Sequence, residues 1–172
     1  MEQWDLYTKD RIPTGEVMVR GDAVPENRYR MVIHVCIFNS RGQMLIQQRQ
    51  VDKQGWSNLW DVSVGGHALA GESSSEAAER EVAEEIGLKI SLDQVRPALT
   101  IDFVNGFDDM YTMIQEVDLD SLILQEEEVQ AVKWATLDEI CQMIDDKTFI
   151  PYHKSLLELL FFLSKHKDAH TT

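Results

Sequence analysis

Apolar residues along the chain form short runs and alternating stretches, which predict a series of β-strands. The run Met31–Phe38 is nearly continuous in apolar character, as expected of a buried strand. The turn residues Asn39–Gly42 follow, and Gln43–Arg49 alternates enough to predict a strand paired with the first. Further strands are predicted over Trp60–Val64, stopping at Gly65-Gly66, and near Leu99–Val104, Met110–Val117 and Val129–Ala135.

Three helices are predicted from their capping residues and from one apolar stripe. Ser73-x-x-Glu76 is a capping box in front of Ala77–Ile86, and Gly87 supplies the C-terminal stop. The same device, Thr136-x-x-Glu139, precedes a helix reaching about Asp145. Pro151 suits the first turn of a final helix with an apolar stripe of Leu156, Leu159, Leu160 and Leu163. Strands interleaved with a few helices predict an α/β or α+β sandwich with a mixed sheet.

Length and composition predict one ordered domain. The 172 residues contain 44% hydrophobic and 27% charged residues, values that exclude disordered and fibrous classes. No internal repeat or low-complexity linker divides the chain, so a single domain is expected over residues 1–165. Residues 166–172, with their His and Lys side chains, are expected to form a flexible tail.

Charge narrows the range of partners. Asp and Glu outnumber Lys and Arg by 30 to 16, for a formal net charge of -14, so binding to nucleic-acid polymers or anionic membranes is disfavoured. A phosphorylated small molecule remains a suitable substrate, provided a divalent cation neutralises the site. The N-terminus has no apolar signal segment, and the most apolar stretch, Leu156–Leu163, is too short to span a bilayer. We therefore expect a cytoplasmic protein.

The sharpest chemical feature is a carboxylate face on the first predicted helix. Glu81, Glu84 and Glu85 fall within roughly a 100° arc on one side of the helix. Three glutamates alone would often form only a solvated face. Here Arg80 stands four residues before Glu84, where it can orient that carboxylate. Clustered carboxylates suit Mg²⁺ or Mn²⁺, because these hard ions take oxygen ligands.

These residues match a known motif. Gly66, Glu72 and the run Arg80-Glu81-Val82-Ala83-Glu84-Glu85-Ile86-Gly87-Leu88 resemble the Nudix box at every defined position. The resemblance implies a Nudix-type α/β/α sandwich and metal-dependent hydrolysis of a phosphoric anhydride, in which a nucleoside diphosphate or related pyrophosphate is linked to another group. The expected cofactor is Mg²⁺ or Mn²⁺. Members of this family often form pairs, so the resemblance makes a homodimer a possible assembly.

The resemblance also assigns roles to residues of this sequence. It implies that Glu81, Glu84 and Glu85 are metal ligands, and that the Gly65 carbonyl adds another. Glu72 is expected to hold the loop, and Arg80 to position a glutamate. A general base would come from this helix or from a separate loop, where the candidates are Glu126, Glu127 and Glu128, with Glu127 as the leading one; a solvated acidic loop is the alternative.

Substrate contacts are less specific. His67, next to Gly66, could line the site and contact phosphate, and Arg49 could hold phosphate from a strand end. An exposed strand-end arginine with no specific role is the alternative for Arg49. His34, inside an apolar strand, is expected to be a hydrogen-bonded core or wall residue.

A wider similarity connects residues 4–145 with the Nudix branch that includes isopentenyl-diphosphate isomerase. The isomerase cysteine lies in a Ser-Val-Cys-Gly-His segment, and the matching run here is Ser63-Val64-Gly65-Gly66-His67. Gly65 therefore stands at the cysteine position, and Arg30 stands where isomerases use a metal-binding histidine. These departures favour a hydrolase. The alternatives are an isopentenyl-diphosphate delta-isomerase and a non-catalytic, ligand-sensing Nudix module.

Overall fold

β-Strands provide most of the buried apolar surface, as the hydrophobic pattern predicts. The computed structural model describes residues 1–171, which contain nine strands, three α-helices and a 3-10 turn at Leu119–Ser121. The strands are β1 (Gln3–Tyr7), β2 (Pro13–Val19), β3 (Arg30–Phe38), β4 (Met44–Arg49), β5 (Trp60–Asp61), β6 (Val64–His67), β7 (Leu99–Phe103), β8 (Gly106–Ile114) and β9 (Val129–Ala135). The helices are α1 (Ser74–Ile86), α2 (Leu137–Asp145) and α3 (Lys154–Lys165).

The central sheet is mixed and is built around β3. β3 pairs in parallel with β8 along its whole length and antiparallel with β6. The hydrogen-bonded order is β5-β4-β3-β8-β7, with β6 beside β3 and β9 beside β4. This arrangement confirms the predicted α/β class and the mixed sheet.

Helices cover both faces of this sheet. Ile33 and Val35 of β3 pack with Val82 of α1 on one face. Cys36 and Phe38, which lie further along the same strand, pack on the other face among side chains of α2 and α3. Side chains that point to opposite sides of one strand thus produce the expected three layers.

An N-terminal hairpin of β1 and β2 was not predicted. Its own small core contains Trp4, Leu6 and Met18. The hairpin is fastened to the loop before α1, because the Ala70 N–H donates to the Gln3 carbonyl at 2.8 Å. It therefore forms a wall beside the β6–α1 connection.

The prediction that a strand stops at Gly65-Gly66 is wrong. Two separate strands, β5 and β6, replace it, and both glycines lie within β6. Gly65 pairs with His34 and Gly66 with Ile33 across the ladder with β3. The glycines serve close packing in a strand rather than a turn, as the site geometry shows.

The start of the last helix also differs from the prediction. Pro151 precedes α3, which begins at Lys154, because the Ile150 N–H donates to the Trp60 carbonyl and holds this segment along β5. Leu157 and Leu160 are buried in α3, whereas Leu159 is 44% exposed. Residues 166–171 follow the helix, and Thr172 lies outside the described residues. None of the described helices has the length and apolar character needed to cross a bilayer.

Candidate active site

Helix α1 carries the predicted acidic residues, and its ends are fixed by local sequence. The Ser73 side chain accepts the Glu76 N–H and the Glu76 side chain accepts the Ser73 N–H, which completes the capping box. Gly87 ends the helix in the left-handed region at φ 68°. Buried apolar side chains such as Val82 pack one face of α1 against the sheet. The three glutamates lie beside this apolar face of the helix.

Arg80 is the hub of the acidic cluster. Its guanidinium donates two hydrogen bonds to Glu72, at 2.7 and 3.0 Å, and a third to the His67 carbonyl at 2.9 Å. The remaining nitrogen, Nη1, lies 3.1 Å from Glu81 Oε1 and 3.0 Å from Glu84 Oε2. Glu72 also accepts the Leu69 N–H at 2.9 Å. Arg80 thereby links the loop before α1 to two of its carboxylates.

Glu81 depends on the missing side chain of Gly66. A Cβ at Gly66 would overlap the Glu81 carboxyl group, so only glycine allows this close approach. Burial raises the pKa of Glu81, and the neighbouring Arg80 charge opposes this effect only in part. The Glu81 carboxylate therefore packs directly against the backbone of β6 at Gly66.

Glu85 is the most enclosed of the three glutamates. It is 5% exposed and accepts a hydrogen bond from Gln47 Nε2 at 2.8 Å. Burial, together with the charge of Glu81, raises its pKa to about 7. Gln47 reaches Glu85 from β4, and no motif or spacing in the sequence had pointed to it.

The three glutamates do not converge into a ready metal site. Among residues 1–171, no three His, Cys, Asp or Glu side chains lie close enough to hold one ion. The Arg80 guanidinium stands between Glu81 and Glu84, and Glu85 turns towards Gln47. The donor chemistry nevertheless suits a divalent cation, because Glu81 and Glu85 are largely buried and nearby positive charge does not offset the rise in their pKa values.

Lys53 and Glu128, from two different loops, form an ion pair near the acidic cluster. Burial lowers the pKa of Lys53, while the charge of Glu85 opposes that shift. The Gln125 N–H donates to the Glu85 carbonyl at 2.9 Å, which attaches this acidic loop to the end of α1. Glu127 is exposed, whereas Glu128 faces Lys53. Sequence reasoning missed Lys53, since nothing in its spacing distinguishes it.

A cavity of about 420 Å³ lies beside this site. Arg49, Asp61 and Tyr152 line it: the Tyr152 hydroxyl donates to Asp61 at 2.8 Å, and Arg49 Nη1 lies 3.5 Å from the other Asp61 oxygen. The exposed Trp56 also lines it. Asp61 and Tyr152 come from distant segments and were not singled out from the sequence.

His34 forms the floor between this cavity and β6. Its Nδ1 lies 2.8 Å from Asp108 Oδ1; burial alone would lower the His34 pKa, but the hydrogen bond and charge of Asp108 raise it. A Cβ at Gly65 would lie 2.7 Å from the ring. The imidazole thus fills the space into which a side chain at position 65 would project.

His67 lies at the end of β6, against the N-terminal hairpin. Its ring stacks on Trp4 with centroids 4.1 Å apart. Burial, together with the charges of Arg30 and Arg20, lowers the His67 pKa to about 4. Of the predicted substrate residues, Arg49 therefore lines the smaller cavity, whereas the His67 ring packs against the N-terminal hairpin.

A larger cavity, of about 860 Å³, lies at the other end of α1. Ser74, Arg11 and Asp109 contribute to its lining, and Arg11 donates two hydrogen bonds to Asp109 at 2.9 and 2.7 Å. None of the three α1 glutamates lines it. The acidic cluster and the smaller cavity together form the candidate active site.

Comparison with known proteins agrees with the motif. The family model of the NUDIX domain matches residues 28–160. An uncharacterized Nudix hydrolase of Listeria monocytogenes is 44% identical over 170 residues, 99% of each chain. An isopentenyl-diphosphate delta-isomerase of Pectobacterium atrosepticum is 30% identical over 154 residues, which are 90% of this chain and 76% of the relative.

A solved structure supports the fold. A crystal structure of a Deinococcus radiodurans protein superposes with a TM-score of 0.73 and 24% identity. The superposition covers 95% of this chain and 100% of that one. At this identity the similarity establishes the architecture.

Proposed function

The chain belongs to the Nudix hydrolase family, and on that premise we propose that it cleaves a phosphoric anhydride in a small-molecule diphosphate with the help of Mg²⁺ or Mn²⁺. The leading substrate class is a nucleoside diphosphate linked to another group, or a related pyrophosphate. The observation that carries the proposal is the pair of largely buried carboxylates, Glu81 and Glu85, near the cation Lys53, which in turn has Arg49 as a neighbour. Carboxylates suit the metal and cations suit the phosphates.

We assign the metal-binding role to Glu81, Glu84 and Glu85, with the Gly65 carbonyl as a further oxygen donor. When bound, a divalent cation neutralises phosphate charge and makes the attacking water more acidic. Arg80 and Glu72 then position the carboxylates, because the Arg80 fork fixes the loop and the helix relative to each other.

The remaining residues act on substrate and protons. We assign Arg49 and Lys53 to the binding of phosphate oxygens. A carboxylate of the acidic loop is the proposed general base, and Glu128, which pairs with Lys53, is better placed for this role than the exposed Glu127.

The isomerase alternative is disfavoured by the site. Isomerisation requires an acid and a base on opposite sides of an alkene. Gly65 provides no thiol, and the His34 ring fills the space beside it. Cys36 is buried, with a pKa raised by burial, and Cys141 lies on α2. A ligand-sensing role without catalysis is disfavoured because the acidic set is complete.

The direct test is a reaction in ¹⁸O-labelled water with a panel of nucleoside diphosphates, dinucleotides and nucleotide sugars. We expect one labelled oxygen in a phosphate product, full loss of activity with EDTA, and turnover at least about 10²-fold lower in Glu85→Gln. Isopentenyl diphosphate is followed in parallel. Dimethylallyl diphosphate formation without labelled phosphate from any anhydride would refute the proposal.

A further inference from the structure

Three side chains stack where the N-terminal hairpin meets the sheet. The Trp4 and His67 rings are nearly parallel, at an interplanar angle of 6°. The Arg30 guanidinium carbon lies 5.6 Å from the centroid of Trp4, and the ring of Phe103 lies 5.8 Å from the same carbon. We call Trp4, Arg30 and His67 the Trp4 stack. Residues from β1, β3 and β6 thus meet at one point.

Every member of the Trp4 stack has a buried nitrogen without a partner. Trp4 Nε1, Arg30 Nε and His67 Nε2 have no hydrogen-bond partner among the described residues. Trp4 is only 5% exposed, so its indole N–H is withdrawn from bulk solvent. Buried donors are rarely left unpaired in folded proteins, and each one costs free energy until an acceptor is supplied.

Charge identifies the kind of acceptor. Arg30 is half-buried, and within residues 1–171 no carboxylate lies within ion-pair distance of it, although acidic residues outnumber basic ones by 30 to 16. By contrast, Arg28, two residues earlier, is paired with Glu16. A guanidinium without a carboxylate partner can bind an anion through charge-assisted hydrogen bonds, which a neutral water molecule does not provide.

The stack and the acidic cluster are connected through β6 and Arg80. His67 follows Gly66, the residue against which the Glu81 carboxyl group packs, and the His67 carbonyl accepts a hydrogen bond from Arg80. An anion at the stack would therefore lie one residue along β6 from the glycine that contacts Glu81. Phosphoryl oxygens match both requirements, since they are anionic and accept several hydrogen bonds at once.

We propose that the Trp4 stack is the subsite for one phosphoryl group of the diphosphate, with the Trp4 indole and Arg30 guanidinium donating to its oxygens. The inference rests on the proposed function, because it assigns the stack to the same substrate. It gives the N-terminal hairpin a role in substrate binding, which the Nudix motif does not include.

The first test is calorimetric binding of methylenediphosphonate, a non-hydrolysable diphosphate, in Mg²⁺ buffer. Arg30→Gln is expected to weaken binding at least about tenfold, because it removes a charge-assisted contact. Arg28→Gln is the matched control and is expected to bind within about twofold of the wild type. Equal affinity of Arg30→Gln and the wild type, or no binding by the wild type, would overturn the proposal.

The second test reads the Trp4 N–H directly. Trp4→Phe keeps an aromatic ring in the stack but removes the donor, so its missing indole signal assigns the Trp4 resonance in a ¹H–¹⁵N NMR spectrum. In the wild-type protein this resonance is expected to move downfield on adding methylenediphosphonate, while that of Trp134 stays fixed. A Trp4 signal unchanged at saturation would show that water satisfies the donor and would refute the subsite.

The two proposals fail in different ways. Binding of methylenediphosphonate needs no turnover, so a shifted Trp4 signal without hydrolysis of any anhydride would leave the subsite intact and reject the hydrolase. Hydrolysis with normal binding by Arg30→Gln would reject the subsite alone. Thermal unfolding of each variant, expected within a few degrees of the wild type, separates lost contacts from lost structure.

Discussion

The missing side chain of Gly65 is what permits the His34 ring to lie against β6. A Cβ would be 2.7 Å from the ring, and His34 is held in place by Asp108. We therefore expect Gly65→Ala to destabilise the protein by about 1–3 kcal/mol through overpacking. Chemical denaturation is the measurement. In the background of His34→Ala the same substitution should cost far less; additive costs would contradict the contact.

Glu85 makes the stability of the metal-free protein depend on pH. Its carboxyl has an ordinary pKa of 4.5, and burial raises this to about 7 in the folded state. The folded protein therefore binds more protons than the unfolded one between these values, and stability falls as pH rises through them. The loss amounts to about 3 kcal/mol at most.

We expect the free energies of unfolding of the wild type and Glu85→Gln to differ by an amount that depends on pH. With EDTA present, this variant should gain stability relative to the wild type as pH rises from about 5 to 8, since it has no proton to lose. Glu158→Gln, at an exposed position of α3, is the control and should follow the wild type. Parallel plots of unfolding free energy against pH for the wild type and Glu85→Gln would show that burial does not raise the pKa of this carboxyl.

At the scale of whole elements, the end of α1 depends on Gly87. This residue has φ 68°, and a Cβ there would lie 2.9 Å from the Ile123 side chain and 3.0 Å from its backbone. At Gly71, where φ is 86°, an added Cβ would meet nothing within 4 Å, so Gly71→Ala is a matched control for the backbone cost alone. We expect Gly71→Ala to cost about 1 kcal/mol and Gly87→Ala to cost more, as measured by urea unfolding. If the two substitutions lowered the unfolding free energy equally, the segment of residues 119–124 would have to shift to make room for the new methyl group at position 87.

Elements with local signals were predicted best. The bounds of β9 match, and the capping boxes located α1 and α2, because the residues that fix these helix ends lie within a few positions of one another. The hairpin of β1 and β2 was missed since β2 is mostly exposed and has little apolar alternation. Pro151 misled the prediction of α3, because a contact between its neighbour Ile150 and the distant Trp60 holds this segment extended.

The same distinction applies to the candidate site. The α1 glutamates and Arg80 follow from one contiguous motif. Lys53, Asp61 and Tyr152 come from three other segments: Asp61 and Tyr152 line the smaller cavity, and Lys53 pairs with Glu128. Their spacing along the chain has no period and no motif, so no local pattern could have identified them.

For the molecule as a whole, the net charge and the acidic cluster imply that a bound metal ion stabilises the folded state. With a formal charge of -14, the folded chain is subject to self-repulsion, and Glu81 and Glu85 are largely buried with raised pKa values. A divalent cation that binds only the folded state should raise the midpoint of thermal unfolding. At about tenfold excess over its dissociation constant it adds about 1.4 kcal/mol, equivalent to roughly 3–6 °C for a chain of this size.

General screening of this charge by salt must be separated from binding at the cluster. Mg²⁺ is therefore titrated at constant ionic strength against NaCl, with scanning calorimetry as the measurement. The rise should be smaller in Glu84→Gln, which removes one proposed ligand, and unchanged in the exposed Glu158→Gln. Glu84 is 52% exposed, so its substitution should disturb folding little, and a smaller rise would report lost binding. A midpoint that NaCl raises as much as Mg²⁺ does would assign the whole effect to screening and would count against a cation site on α1.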